Sequence, residues 1–472
     1  MGTRLPVPVE TGLPALIGVL GVAALCVWGR SYFSPVDVSP RDMGLNKSHL
    51  VRAASTNTST SAVSIPLPGG LSASLAVPTM PGDWSGFRGP NRDNIGPTGS
   101  VVANSIDGVQ PLWQVGVGEG YAAPCIKDGR VFLLDHDSSS EQDVLRCLAL
   151  ADGREVWRTG YSAVIKRNHG ISRTIPATDG KSVVTLGPKC MVLCVDVATG
   201  KPKWQLDLVE KYGVTVPEWY AGQCPLIDGN RIIFATGGNC LFLALDLESG
   251  KELWTTPNPN GWLMTHSSIQ PVTVDGEKTF VYCFNAGVAA VSAKDGKLLW
   301  DTDKWTVNTA TVPTPLPVGG GRIFLSGGYN AGSMMLSVAK GSPTWSVKVE
   351  FRLGPEVFGS DQQTPIFYQG HIYGVRPGGE LVCLDPQGKL CWSSGTAGRF
   401  GTASYLIADG KVVLLNDQGV MTLAEANEKA FKPLGSKPVL KGPEAWGPIA
   451  IAGDRVLVRD ATSLACLKMV KS

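Results

Sequence analysis

One hairpin pattern, an Asp-Gly or Gly turn leading into an alternating apolar strand, occurs eight times along this chain. It reads Asp128-Gly129-Arg130-Val131-Phe132-Leu133, then Asp179-Gly180-Lys181-Ser182-Val183-Val184, and is still clear at Asp409-Gly410-Lys411-Val412-Val413-Leu414. The turn glycines are Gly129, Gly180, Gly229, Gly276, Gly321, Gly370, Gly410 and Gly453, between 40 and 51 residues apart. A unit of this length, built on strands, cannot bury its apolar face alone. Stacking successive units around an axis, as the blades of a β-propeller, gives each face a partner.

A second motif keeps the same spacing: a strand, an acidic-Gly turn, and a strand ending in Trp. The copies end at Trp157, Trp204 and Trp254, with weaker ones at Trp300, Trp345 and Trp392, and a decayed copy carrying Phe431. The Gly supplies the positive φ of a tight hairpin. The Trp offers a large apolar face to wedge between blades. Each unit therefore reads as four antiparallel strands, a to d. The last unit stops after 464–469 without a Trp strand, and the missing strand stands upstream at Pro111-Leu112-Trp113-Gln114-Val115. The expected fold is all-β: an eight-bladed propeller closed by an N-terminal strand, which leaves no free edge between the ends of the ring.

The propeller is expected to span 111–470 as one domain, preceded by an anchor or signal segment at 1–30, a linker at 31–82 and a clasp at 83–110. A net charge of +2 with no Lys/Arg cluster argues against nucleic-acid binding. The 11 Cys contain no Cys-x-x-Cys pair, so no zinc site is expected. Cys147 and Cys194 occupy a slot where later units carry Ala244 and Ala290, which makes them packed small residues. Cys190 and Cys240 also match in register, with a disulfide between neighbouring blades as the alternative to packed thiols.

Residues 11 to 29 carry no charge between Glu10 and Arg30, just enough to span a membrane. A retained anchor is expected, with a cleaved signal as the alternative, since the start is weakly basic and lacks a clean cleavage site. Residues 53–82, between Arg52 and Asp83, carry no charge and are rich in Ser, Thr, Ala and Pro, the composition of a flexible linker. The stretch Asp83-Trp84-Ser85-Gly86-Phe87-Arg88-Gly89-Pro90-Asn91-Arg92 follows. Trp84 and Phe87 are expected to plug onto the propeller, with ligand contact by Arg88 or Arg92 as the rival reading.

The Ala-x-Asp-x-x-Ser/Thr-Gly-Lys-x-x-Trp copies resemble the tryptophan-docking repeat of PQQ-like (quinoprotein-type) β-propellers. Within that family the chain is more similar to the non-catalytic propellers of outer-membrane assembly machinery than to the quinoprotein dehydrogenases. The resemblance implies a propeller exposed outside the cytoplasm, in the periplasm. Catalytic members combine an adjacent Cys pair, calcium ligands and an Asp base. This chain has no adjacent Cys pair, and Asp361, ahead of an inner strand, is its one candidate base.

In a propeller the d-to-a connections gather around the channel on one face. Here they hold Arg167, Asn168, His169 and Arg173; Trp219, Tyr220 and Gln223; Trp262 and His266; Asp361 and Gln362; Arg399; and Trp446. Aromatic rings among Arg, Asn and Gln suit recognition of a peptide or planar ligand. The expectation is a non-catalytic, membrane-tethered, monomeric scaffold that binds protein or peptide partners on this face and needs no cofactor or metal. The alternatives are a PQQ-dependent oxidoreductase with an atypical site, or a small-ligand or sugar-binding propeller.

Overall fold

The computed structural model describes residues 63–65, 77–342, 344–442 and 444–471. The anchor expected at 11–29 and most of the linker lie outside the described residues. Among those described, no helix is long and apolar enough to cross a membrane. The strands form eight antiparallel sheets of four strands each, one of them extended by a fifth. Blades 1 to 7 span 125–162, 177–207, 226–257, 270–302, 316–353, 366–393 and 404–438. Blade 8 joins Ala450–Ala452, Arg455–Arg459 and Ser463–Met469 to the N-terminal strand Val109–Gly116, with Trp113 opposite Cys466. Its inner strand lies beside Cys125–Lys127 of blade 1. Within the stretch read as linker, Val63–Ile65 pairs with 158–160, adding the fifth strand to the outer edge of blade 1. The core is divided into apolar layers at the blade interfaces, such as Phe132 and Trp157 against Val183 and Val195 between blades 1 and 2.

The repeat motif is a docking device. Trp157 of blade 1 lies on Gly200 in the c–d turn of blade 2, where an added Cβ would come within 2.6 Å of the ring. The indole Nε1 donates to the Val197 carbonyl of the same turn at 3.0 Å. Trp113 docks likewise on blade 1 through Leu150, and Trp204 on blade 3 through Leu247. Gly200 has φ 68°, so the position demands both a left-handed backbone and the absence of a side chain. The turn acid holds that backbone: Asp196 accepts from the Thr199 N–H and hydroxyl, and Asp246 from those of Ser249. Opposite each docking Trp on strand c stands a small residue: Cys147, Cys194, Ala244, Ala290, Cys383 or Cys466. All ten described cysteines are free thiols, Cys190 and Cys240 included.

Register corrects two of the weaker copies. Each outer strand bulges by one residue immediately before its docking position. In blade 5 that position is Phe351, opposite Met335, and Phe351 rests on Gly388 of blade 6. Trp345 precedes the strand and packs half-buried on the blade 4–5 layer. In blade 7 the position is Gly435, against which Ile106 packs from the N-terminal segment. Phe431 instead backs onto Trp392, with ring centroids 6.0 Å apart. In both cases a longer c–d connection shifts the aromatic out of the register that its spacing suggests.

The clasp enters from the a–b turn side and crosses the channel. Trp84 is buried and bridges to Ile126 of blade 1 through two backbone hydrogen bonds of 2.8 and 2.9 Å. The Ser85 carbonyl accepts from Thr178 of blade 2. Arg88 donates to the Thr364 and Pro365 carbonyls just ahead of blade 6, and to the Arg92 and Asp93 carbonyls of its own loop. Arg92 donates to Pro225 ahead of blade 3, and the Asn94 amide to Tyr405 of blade 7. In a ring of eight, blades 2 and 6 are opposite, as are 3 and 7, so this loop braces the ring across two diameters. Both guanidiniums are buried and, among the described residues, form no ion pair; burial lowers each pKa to about 10, so they stay charged at neutral pH. The expected plug is seen in the buried Trp84 and in Phe87 packed on the blade 1–2 layer, while Arg88 and Arg92, read alternatively as ligand contacts, bind backbone carbonyls of the propeller itself.

Two consequences for stability follow. Trp157→Ala should cost roughly 3–5 kcal/mol in chemical denaturation, because the ring is buried and its N–H is bonded. Trp254→Ala should cost clearly less, because that ring is half-buried and its Nε1 has no partner. Equal losses would show that the docks do not depend on burial. Arg88→Met leaves several buried carbonyls without a donor, at about 1–3 kcal/mol each. It should lower the denaturation midpoint markedly, and Arg88→Lys should not restore it, since one ammonium cannot reproduce the planar fork.

Candidate functional site

With its lower end filled by the clasp, the channel becomes a blind cavity of about 380 Å³, a volume suited to a small molecule or a large side chain. Phe87, Arg88 and Asn94 form the floor. Ile175, Cys224, Ser268 and Thr364, at or just before the inner strands, form the lower wall. Tyr121, His169, Arg173, Trp219, His266, Tyr329, Gln362 and Trp446 form the upper wall on the d-to-a side.

The upper wall is built by main-chain scaffolding. Arg173 donates to the carbonyl of Trp219 at 2.6 Å and to those of Asn168 and His169 at 2.8 Å, so it ties the blade 1–2 loop to the blade 2–3 loop. Its guanidinium sits 5.4 Å over the Tyr121 ring, a cation–π contact. Tyr121 donates to Glu444 at 2.8 Å, and Trp446 Nε1 donates to Asp417 at 3.0 Å. The Tyr121 and Trp446 rings lie 5.1 Å apart. Gln363 donates to the Trp446 carbonyl. Carboxylates thus stand behind the wall, holding aromatic groups, while the charged side chains that line it are the cations Arg88 and Arg173. Among the described residues, no carboxylate lines the cavity.

His266 lies against Trp219, ring centroids 6.1 Å apart, with a buried Nε2 that has no partner. Burial and then the Arg173 charge push its pKa down to about 4. The imidazole is therefore neutral at neutral pH, a hydrogen-bonding edge rather than a cation.

Of the side chains expected here from sequence, the fold brings His169, Arg173, Trp219, His266, Gln362 and Trp446 to this one cavity. The others stand elsewhere. Arg167 pairs with Glu119 at 2.8 Å on the exposed rim. Asn168 donates to Glu218, and the Tyr220 hydroxyl to Lys166, each fastening one loop to another. Gln223 is fully buried and exchanges two hydrogen bonds with the backbone of Ala235, standing in for a strand neighbour. Trp262 is buried against Phe284. Asp361 sits half-buried beside Gly328, its pKa raised by desolvation, and Arg399 is exposed on the blade 6–7 loop. Tyr121 was missed. It follows the closing strand, whose own d-to-a connection belongs to the same loop set as the others.

The residues present do not fit a calcium–quinone centre. Among the described residues no group of three or more His, Cys, Asp or Glu converges as a metal site, and the clasp side chains occupy the channel floor.

The unfolded chain protonates His266 with an ordinary pKa near 6.5, whereas the folded state holds it neutral down to about 4. Its contribution to stability is therefore intact above pH 6.5 and lost as pH falls from there toward 4. His266→Gln should flatten that acid limb in urea midpoints measured against pH. An unchanged slope would show that His266 is not held neutral.

The family model described as outer membrane protein assembly factor BamB matches residues 140–357 and 334–430. The BamB of Yersinia pestis is 24% identical over 302 residues, covering 61% of this chain and 72% of that protein. Across the related assembly factors the chain spans between 65% and 72% of their length. Among solved structures, BamB from Moraxella catarrhalis superposes with a TM-score of 0.54 at 13% identity, over 76% of this chain and 99% of that one. A europium-containing methanol dehydrogenase superposes with a TM-score of 0.60 at 11% identity, over 82% and 98%. At such identities these structures speak for the fold alone. The family match extends over more than half of the sequence, and the chain belongs to the outer membrane protein assembly factor BamB family.

Proposed function

We propose that this protein is a non-catalytic scaffold of outer-membrane protein assembly, binding protein or peptide partners on its d-to-a loop face. The observation that carries the reading is the blind cavity. Its mouth is lined by half-buried Trp219 and Trp446, with Tyr121 and neutral His266 between them and Arg173 alongside. Rigid aromatics in a pocket supply binding energy at low entropic cost, and a lining that carries cations but no carboxylate favours an apolar or aromatic side chain flanked by negative charge. The related assembly factors bring the biological setting. The division into anchor (1–30), linker (31–82), clasp (83–110) and closed propeller (111–470) fits a monomeric module tethered to a membrane in the periplasm. The dehydrogenase reading draws on fold likeness alone.

Affinity capture from detergent-solubilised membranes tests the site. The double variant Trp219→Ala/Trp446→Ala should lose most of the partner recovered by the wild type while its melting temperature moves little, since both rings are half-exposed. Full recovery would place binding elsewhere, and collapse of the fold would make these rings structural. Tethering has its own check: a 77–472 fragment should leave the membrane after a carbonate wash, whereas the full chain stays.

A further inference from the structure

Among the described residues, blade 6 is the one blade in which a cysteine at the bulge faces a cysteine opposite the docking residue. In every blade the outer strand bulges immediately before its docking residue, so two of its residues oppose one residue of strand c. In blade 6 the bulged residue is Cys391, and Cys391 and Trp392 together oppose Cys383, between the pairs Cys383–Trp392 and Leu384–Leu390. Blades 1, 2 and 8 also carry a cysteine opposite the docking residue, but their bulged residues are Val156, Lys203 and Leu112. Cys391 is exposed and Cys383 buried. The Cys391 thiol donates to the Lys389 carbonyl at 3.9 Å and lies close enough to Cys383 for the two charges to interact, while Tyr373 stands opposite Cys383 on strand b.

We propose that Cys383 and Cys391 form a reversible disulfide across the c and d strands of blade 6, driven by a small-molecule or protein disulfide as oxidant. The exposed Cys391 thiolate attacks one sulfur of the donor disulfide, expels one donor thiolate and leaves a mixed disulfide. Cys383 then gives its proton to solvent, and its sulfur attacks that of Cys391, expelling the second donor thiolate. Two protein thiols are oxidised by two electrons, and the donor is reduced to two thiols. The bond would staple the hairpin that presents Trp392 to blade 7, where the indole donates to the Asn427 carbonyl at 2.9 Å.

The selectivity follows from geometry. Cys125 and Cys147 also lie in one blade, but each pairs with Phe132. They are two strand spacings apart, about 9.6 Å, beyond the reach of a disulfide, and both are buried. Cys383 is the slow partner, because burial pushes its thiol up to about 12. Closure of the mixed disulfide should therefore speed up about tenfold per pH unit through the neutral range.

The test exposes the full chain to oxidised glutathione at about pH 8.5, followed by alkylation and peptide mapping. The expected product is a linked pair of peptides carrying Cys383 and Cys391, lighter by two hydrogens, with the buried cysteines alkylated only after unfolding. Cys383→Ala should stop at a glutathione adduct on Cys391, and Cys391→Ser, at an exposed position, should remove both products. A wild-type chain that stops at the Cys391 adduct, or in which neither thiol reacts, overturns the proposal.

Discussion

An indole ring lying on a glycine is the contact that joins four of the eight pairs of neighbouring blades: Trp113 on Gly153, Trp157 on Gly200, Trp204 on Gly250 and Trp254 on Gly296. The glycine must be left-handed, must lack Cβ, and must sit in a turn whose acidic residue ties up its own backbone. The bulge before each docking residue, with a small residue opposite each docking Trp, turns the ring outward toward the next blade. Where every requirement is met, as between Trp157 and Gly200, the interface adds a hydrogen bond to its apolar contact. Where one fails the interface is repacked: Phe351 substitutes on Gly388, and Ile106 fills in at Gly435. Stability in such an array is a sum of neighbour terms, so single degraded docks are tolerated while the ring persists.

This explains what could be read from sequence. Positive-φ turns and docking rings impose residue types at fixed spacing, so the blade count, the four-stranded units and the small-residue slot of Cys147 and Cys194 were all legible. Trp345 and Phe431 were misplaced because spacing counts residues along the chain, whereas the dock is fixed by the bulge across the strands. The clasp was legible as an ordered, plugging element. Its two cross-channel braces were not, because Arg88 and Arg92 bind carbonyls, and a carbonyl carries no residue signature.

The candidate site was half legible for a related reason. Topology sends every d-to-a loop to one face, but burial decides which side chains reach the axis. Trp262 and Gln223 come from the same loops as Trp219, yet one ring fills a gap beside Phe284 and the amide replaces a strand neighbour at Ala235. Tyr121, overlooked in the closing segment, turns out to join Arg173, Trp446 and Glu444 into one wall. Three chain-distant segments meet there, which no local pattern encodes.

The clasp converts a through-channel into a cavity with a single mouth, and that mouth faces the loops that would meet a partner. The account therefore stands on the clasp being an integral layer of the propeller. Native-state hydrogen exchange at the Trp84, Gly96, Ile126 and Ile407 amides, which carry the clasp's backbone bonds, measures this directly. The account predicts protection comparable to that of the inner strands, lost only when the ring unfolds. Exchange of these amides at the rate of surface loops would mean that the clasp lifts away on its own and that the channel is open at both ends.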